Sequence, residues 1–161
     1  MKHVIELIGV GNSGKSQTLN ALIKKLYKAS GNDDQVKLFY TGDNGQKLVY
    51  ENRETIEYRG KRISVCTFGD DLDAVEANIE YFEGQNCDIV VSAARSKGQT
   101  KEALDNYANN KNAKVDRVLK GWVDVPEMSE NKRQQEASDI LVEATAQALF
   151  VIIDGLIDKM E

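Results

Sequence analysis

Proline occurs once in the 161 residues, and cysteine only twice. With one proline there is no Pro-rich linker, and no internal repeat or low-complexity segment divides the chain. Residues 1–161 therefore read as a single domain, long enough to bury a core of its own. The two thiols, Cys66 and Cys87, lie in apolar stretches without metal-ligand spacing, so the expectation is two reduced core cysteines. That usage points to a cytoplasmic, reducing location. Basic charge is also in short supply: the formal net charge is -5 and the pI about 5.1. Such a balance argues against nucleic acid as a partner held on a broad basic face and leaves only a local basic patch open. The N-terminal apolar run leads straight into glycines, without the small-residue cleavage pattern of a secretory signal. The apolar stretch from Ile140 to Ile157 is interrupted by Glu143, Gln147 and Asp154 and is not read as a membrane span. At 41% hydrophobic and 29% charged, the composition is that of a soluble globular protein.

Strands and helices alternate along most of the chain. His3 to Ile8 is a short run rich in branched residues and reads as a buried strand. Leu19, Leu22, Ile23 and Leu26 then recur at helical spacing, and the turn cluster Ser30 to Asp34 ends that helix. Val36 to Thr41 is a second strand candidate. Thr55–Arg59 and Arg62–Phe68 read as a hairpin turning at Gly60-Lys61. Leu72, Val75, Ile79 and Phe82 mark a helix with Gly84 as its expected stop. Cys87 to Ala94 is the most apolar strand candidate. Ala103, Leu104, Tyr107 and Ala108 mark a further helix, Asn109 to Ala113 a loop, and Val115 to Val123 another strand. Pro126 and Ser129 set up a long last helix to about Lys159, with Ile140, Leu141, Ala144, Ala148, Val151 and Ile152 as its expected inner face. This alternation implies an α/β fold, a mainly parallel sheet covered by helices.

Between the first strand and the first helix stands the octet GVGNSGKS, Gly9 to Ser16, which fits the pattern G-x-x-x-x-G-K-[ST]. Gly9, Gly11 and Gly14 let the backbone bring its N–H groups close to phosphate oxygens. The helix that starts near Gly14 adds its positive dipole end. Lys15 reaches outer phosphates and Ser16 offers a hydroxyl to Mg²⁺. Asn12, Ser13 and Gln17 complete the expected nucleotide contacts. A glycine turn that binds nothing would leave the Lys-Ser pair after the last glycine unexplained.

On this octet and the alternating pattern, the chain resembles the P-loop nucleoside triphosphate hydrolase superfamily. The specific motif covers only Gly9 to Ser16. The resemblance implies a three-layer α/β/α fold with an antiparallel edge hairpin, ATP or another nucleoside triphosphate as ligand, and Mg²⁺. It also implies an acid at the end of a neighbouring strand to hold the metal shell. The segment ISVCTFGDD supplies Asp70, the favoured carboxylate, and Asp71, with helix capping as the competing role for either. The apolar strand CDIVVSAA ends instead in Arg95-Ser96-Lys97. Ligands collect at carboxyl ends of parallel strands, so Arg95, and after it Lys97, is a candidate to face a phosphate. Asp43 is a candidate base or metal-shell ligand, with a turn aspartate as the competing role. Lys132 and Arg133 read as a solvated helix face, Trp122 as an anchor, and His3 carries no assigned chemistry.

Guanine-reading GTPases carry Asn-Lys-x-Asp, whereas Asn110-Lys111-Asn112-Ala113 lacks the aspartate. Their Asp-x-x-Gly is also missing, since Gly69 precedes the acids here. No Ser-Gly-Gly signature of ABC-type ATPases is present. The expected function is an ATP-dependent phosphotransferase acting on a small-molecule or nucleotide acceptor, with Lys15, Asp70 and Arg95 in catalytic roles and Ser16 and Asp70 at the metal. The alternative is a nucleotide-dependent switch whose output is a conformation offered to a protein partner. In either case no membrane is involved.

Overall fold

The computed structural model describes residues 1–9, 14–32, 52–121, 123, 127 and 132–161. Within them the order is β1 (His3–Ile8), α1 (Lys15–Ala29), β2 (Arg53–Tyr58), β3 (Lys61–Cys66), α2 (Leu72–Gln85), β4 (Ile89–Ala94), α3 (Gln99–Asn110), β5 (Lys114–Leu119) and α4 (Lys132–Met160). The five strands form one mixed sheet in the order β2-β3-β4-β1-β5, and the architecture is α/β. β3, β4, β1 and β5 are parallel neighbours, while β2 pairs antiparallel with β3 as an edge hairpin.

The central strands are apolar because both of their faces are covered. Every residue of β4 is buried, as are residues 4–8 of β1. Leu19, Leu22, Ile23 and Leu26 of α1 are all fully buried and pack with Ile5, Leu7, Ile63, Val91 and Leu149 on one side of the sheet. On the other side Val4, Cys66, Phe82, Cys87, Val90 and Tyr107 form a second cluster that includes α2 and α3. Both cysteines are free, buried thiols; burial pushes Cys66 up to about 12.

Several boundaries differ from those expected. The hairpin turns at Arg59-Gly60, both with positive φ, and β3 stops at Cys66, so Thr67 and Phe68 lie beyond the strand. Gly84 does not stop α2. The helix runs to Gln85, and Asn86, at φ 51°, takes the left-handed position that ends it. Asn109 and Asn110 belong to α3, and β5 ends at Leu119 instead of continuing to Val123. The strand expected over Val36 to Thr41 lies outside the described residues, as do Asp43, Trp122, Pro126 and Ser129.

The expected inner face of α4 is corrected. Val142, Ala146, Leu149, Ile153 and Ile157 are the buried set; of the expected face Ile152 packs partly buried against the core, whereas Ile140 and Val151 are 68% and 57% exposed. The helix is apolar around most of its circumference, so more than one apolar stripe fits a 3.6-residue period. Packing against α1 and the sheet selects the stripe that begins at Val142. By length and composition α4 is also apolar enough to cross a bilayer, although one face is packed into this fold.

Candidate functional site

Four strands end together at the carboxyl edge of the sheet, where connections β1–α1, β3–α2, β4–α3 and the end of β5 meet. The Gly9 N–H donates to the Ala94 carbonyl at 3.2 Å, and the Lys120 N–H donates to the Ile8 carbonyl at 2.7 Å. These bonds hold the ends of β4 and β5 level with the end of β1.

Gly14 adopts φ 87° as the N-cap of α1, a conformation open to glycine at little cost. Gly14 itself brings no side-chain cap, and no acid lies in the first turn of the helix. Its first residue, Lys15, is 5% exposed; its Nζ donates to the Gly9 carbonyl at 2.9 Å and lies 3.3 Å from the Asp70 carboxylate. The Ser16 hydroxyl donates to the Thr67 carbonyl at 2.8 Å. The Lys-Ser pair of the octet therefore meets the β3–α2 connection directly. Val10, Gly11, Asn12 and Ser13 lie outside the described residues; Gln17 is exposed on α1.

The connection from Thr67 to Asp71 is fixed from several sides. The Thr67 N–H donates to the Asn52 carbonyl, and the Asn52 N–H donates back to Thr67 Oγ1. Asn52 Nδ2 also donates to Asn20 Oδ1 on α1 at 2.8 Å. The Asn78 amide donates to the Phe68 carbonyl at 2.7 Å, and the Arg53 guanidinium lies 4.2 Å above the Phe68 ring. Gly69 is pressed against β4, where a Cβ would sit 2.0 Å from the Ala93 carbonyl oxygen. The two acids are separated by role. Asp71 Oδ1 accepts from the Ala74 N–H at 2.8 Å and caps α2, while Asp70 is 59% exposed and faces Lys15.

Arg95 and Lys97 are exposed just beyond β4; the Arg95 N–H donates to Thr100 Oγ1 at 3.1 Å. Arg95 thus shares the carboxyl edge without touching the Lys15–Asp70 pair among the described contacts. Lys132 and Arg133 are exposed at the start of α4, and Arg133 pairs with Glu136 one turn on. His3 lies at the opposite edge, 3.3 Å from Asp116. Sequence reasoning missed Asn20, Asn52, Asn78 and Lys120. An asparagine within a helical pattern reads as surface, and the placement of Lys120 depends on strand order.

A second buried polar group lies away from this edge. Glu6, fully buried on β1, accepts from Arg117 Nε at 3.1 Å through one oxygen; its other oxygen has no hydrogen-bond partner among the described residues. Burial, with the Asp105 carboxylate close by, pushes the Glu6 carboxyl up to about 8. Among the described residues, no group of three or more His, Cys, Asp or Glu side chains is arranged to hold a metal ion. No family model, curated protein or solved structure matches the chain.

Proposed function

We propose that this chain is a P-loop protein that binds ATP, or another nucleoside triphosphate, with Mg²⁺ and transfers a phosphoryl group to a small-molecule or nucleotide acceptor. The observation that carries this reading is the meeting of Lys15 with Asp70, beside the Ser16–Thr67 hydrogen bond. A glycine turn without a ligand has no need of a nearly buried ammonium set between a carbonyl and a carboxylate. The donors suit Mg²⁺ of the kind that arrives on a polyphosphate. Such an ion keeps several waters and takes one or two protein oxygens, so a protein cage of acids is not required. Ser16 Oγ and the Asp70 carboxylate are the two groups that would hold it. When bound, Mg²⁺ neutralises charge on the outer phosphate oxygens.

The chain's own residues supply the rest. The first turn of α1, with a glycine at its N-cap, offers backbone N–H groups to phosphate oxygens. Lys15 turns from the Gly9 carbonyl to an outer phosphate, a stronger acceptor because it is charged. The rigid Thr67–Asp71 connection keeps the Asp70 carboxylate at hand. Arg95, exposed at the same edge, is the cation assigned to charge on the transferring group or the acceptor.

The edge hairpin favours a second reading as a nucleotide-dependent switch, because β2 and β3 lead directly into the Asp70 connection. The two readings separate in one assay, ATP turnover with Mg²⁺ across a panel of nucleoside monophosphates, beside Lys15→Ala. Turnover that requires one acceptor and disappears in the variant supports the phosphotransferase. Slow turnover indifferent to every acceptor supports the switch acting on a protein partner.

A further inference from the structure

Lys120 is the first residue after β5, and β5 flanks β1 on the side away from β4, β3 and Asp70. It is 6% exposed, and its Cε lies 3.7 Å from where a Cβ on Gly14 would stand. The stem therefore runs against the N-cap of α1. Its ammonium donates to the Gly121 carbonyl, and among the described residues no carboxylate pairs with it. Burial alone holds its pKa below the usual lysine range. Lys15 and Arg117, by contrast, each lie against an acid. A buried ammonium without a counter-charge is costly, and here it adds to a helix terminus whose N-cap is a glycine and whose first turn holds no acid. Both the Lys120 stem and the helix terminus thus meet at Gly14.

We propose that Lys120 is a second phosphate ligand of this site, holding an inner phosphate of a nucleoside di- or triphosphate from the β5 side. The inference rests on the nucleotide-binding reading above. Ser16, Asp70 and Lys15 lie toward β3 and mark the metal and the terminal phosphate. Lys120 approaches from the other side of β1, so it meets the phosphates nearer the nucleoside. An anion there supplies the counter-charge that no described residue supplies. The nucleoside accordingly lies toward the β5 side of the loop.

The test is calorimetric titration of ADP, ATP and inorganic tripolyphosphate, each with Mg²⁺, into the full chain and into Lys120→Met and Lys120→Gln. Loss of one charge-assisted contact predicts affinity for all three lower by about 10- to 100-fold in both variants. Melting temperatures should stay level or rise, because an uncompensated buried charge has been removed. Opposite movements of affinity and stability separate a ligand role from a structural one. Unchanged affinity in the variants, with tight binding by the parent chain, overturns the Lys120 assignment alone. A loss for ATP but not ADP places Lys120 at the terminal phosphate and contradicts the inner-phosphate assignment. A loss for nucleotides but not tripolyphosphate places it on the nucleoside and also contradicts it. Failure of the parent chain to bind any of the three removes the nucleotide site itself.

Discussion

Gly69→Ala is the sharpest perturbation of the candidate site that leaves every polar group in place. The added Cβ would lie 2.0 Å from the Ala93 carbonyl oxygen and 2.6 Å from its carbon. Ordinary contact begins near 3.4 Å, so one backbone must retreat by about 1.4 Å. Ala93 resists, because it sits in β4 between β3 and β1 and pairs with Leu7. The β3–α2 connection is the part that moves. Asp70 follows directly, and its 3.3 Å contact with Lys15 does not survive a shift of that size. Overpacking of this kind costs about 1–3 kcal/mol, or about 2 to 12 °C in melting temperature for a chain of this length. Gly84→Ala is the matched control. It lies in α2, a Cβ there meets nothing within 4 Å, and helix propensity predicts a gain of roughly 0.5–1 kcal/mol. Urea denaturation of both variants checks the signs. Gly69→Ala with wild-type stability would refute the claim that this connection is locked against β4.

The remaining predictions concern single groups. Asp71→Ala removes the α2 cap and should cost about 1 kcal/mol in urea denaturation while leaving ATP affinity intact. Asp70→Asn should do the reverse, with stability nearly unchanged and Mg²⁺-dependent turnover lost. Leu149→Ala should cost about 2–5 kcal/mol and Ile140→Ala less than about 0.5 kcal/mol, which checks the buried face of α4. The Glu6 carboxyl is raised from 4.5 in the unfolded chain to about 8, so its protonated form stabilises the fold. That contribution is full below the ordinary carboxylate range and is lost as pH rises toward 8. Stability against urea should therefore fall over that window, and Glu6→Gln should flatten the profile.

Much of this fold was legible where a pattern admitted one solution. The short branched run from His3 to Ile8, ending at a glycine, reads as a buried strand and is β1. The spacing of Leu19, Leu22, Ile23 and Leu26 gave α1 a single apolar face, and all four are fully buried. The α4 face was misread for the opposite reason, since apolar residues surround that helix and only tertiary contact distinguishes Val142 from Ile140. The roles of Asp70 and Asp71 could not be divided by spacing, because a cap and a site acid both belong at a strand–helix junction. The Ala74 N–H donates to Asp71 Oδ1, which makes Asp71 the cap, while Asp70 lies beside Lys15. Lys120 left no local signal. A lysine after a strand is ordinary, and its meaning depends on β5 lying beside β1, which residues alone do not disclose. Asn78 is similar: its amide reaches across to Phe68 because α2 packs over the end of β3.

The central claim is that the octet from Gly9 to Ser16 holds a nucleoside triphosphate. Equilibrium titration of ATP with Mg²⁺ into the full chain, alongside Lys15→Ala, tests it most directly. Saturable one-to-one binding, weakened at least about tenfold in the variant, is the result the site predicts. Absence of binding by both ATP and GTP, or equal affinity in the parent chain and Lys15→Ala, would contradict it.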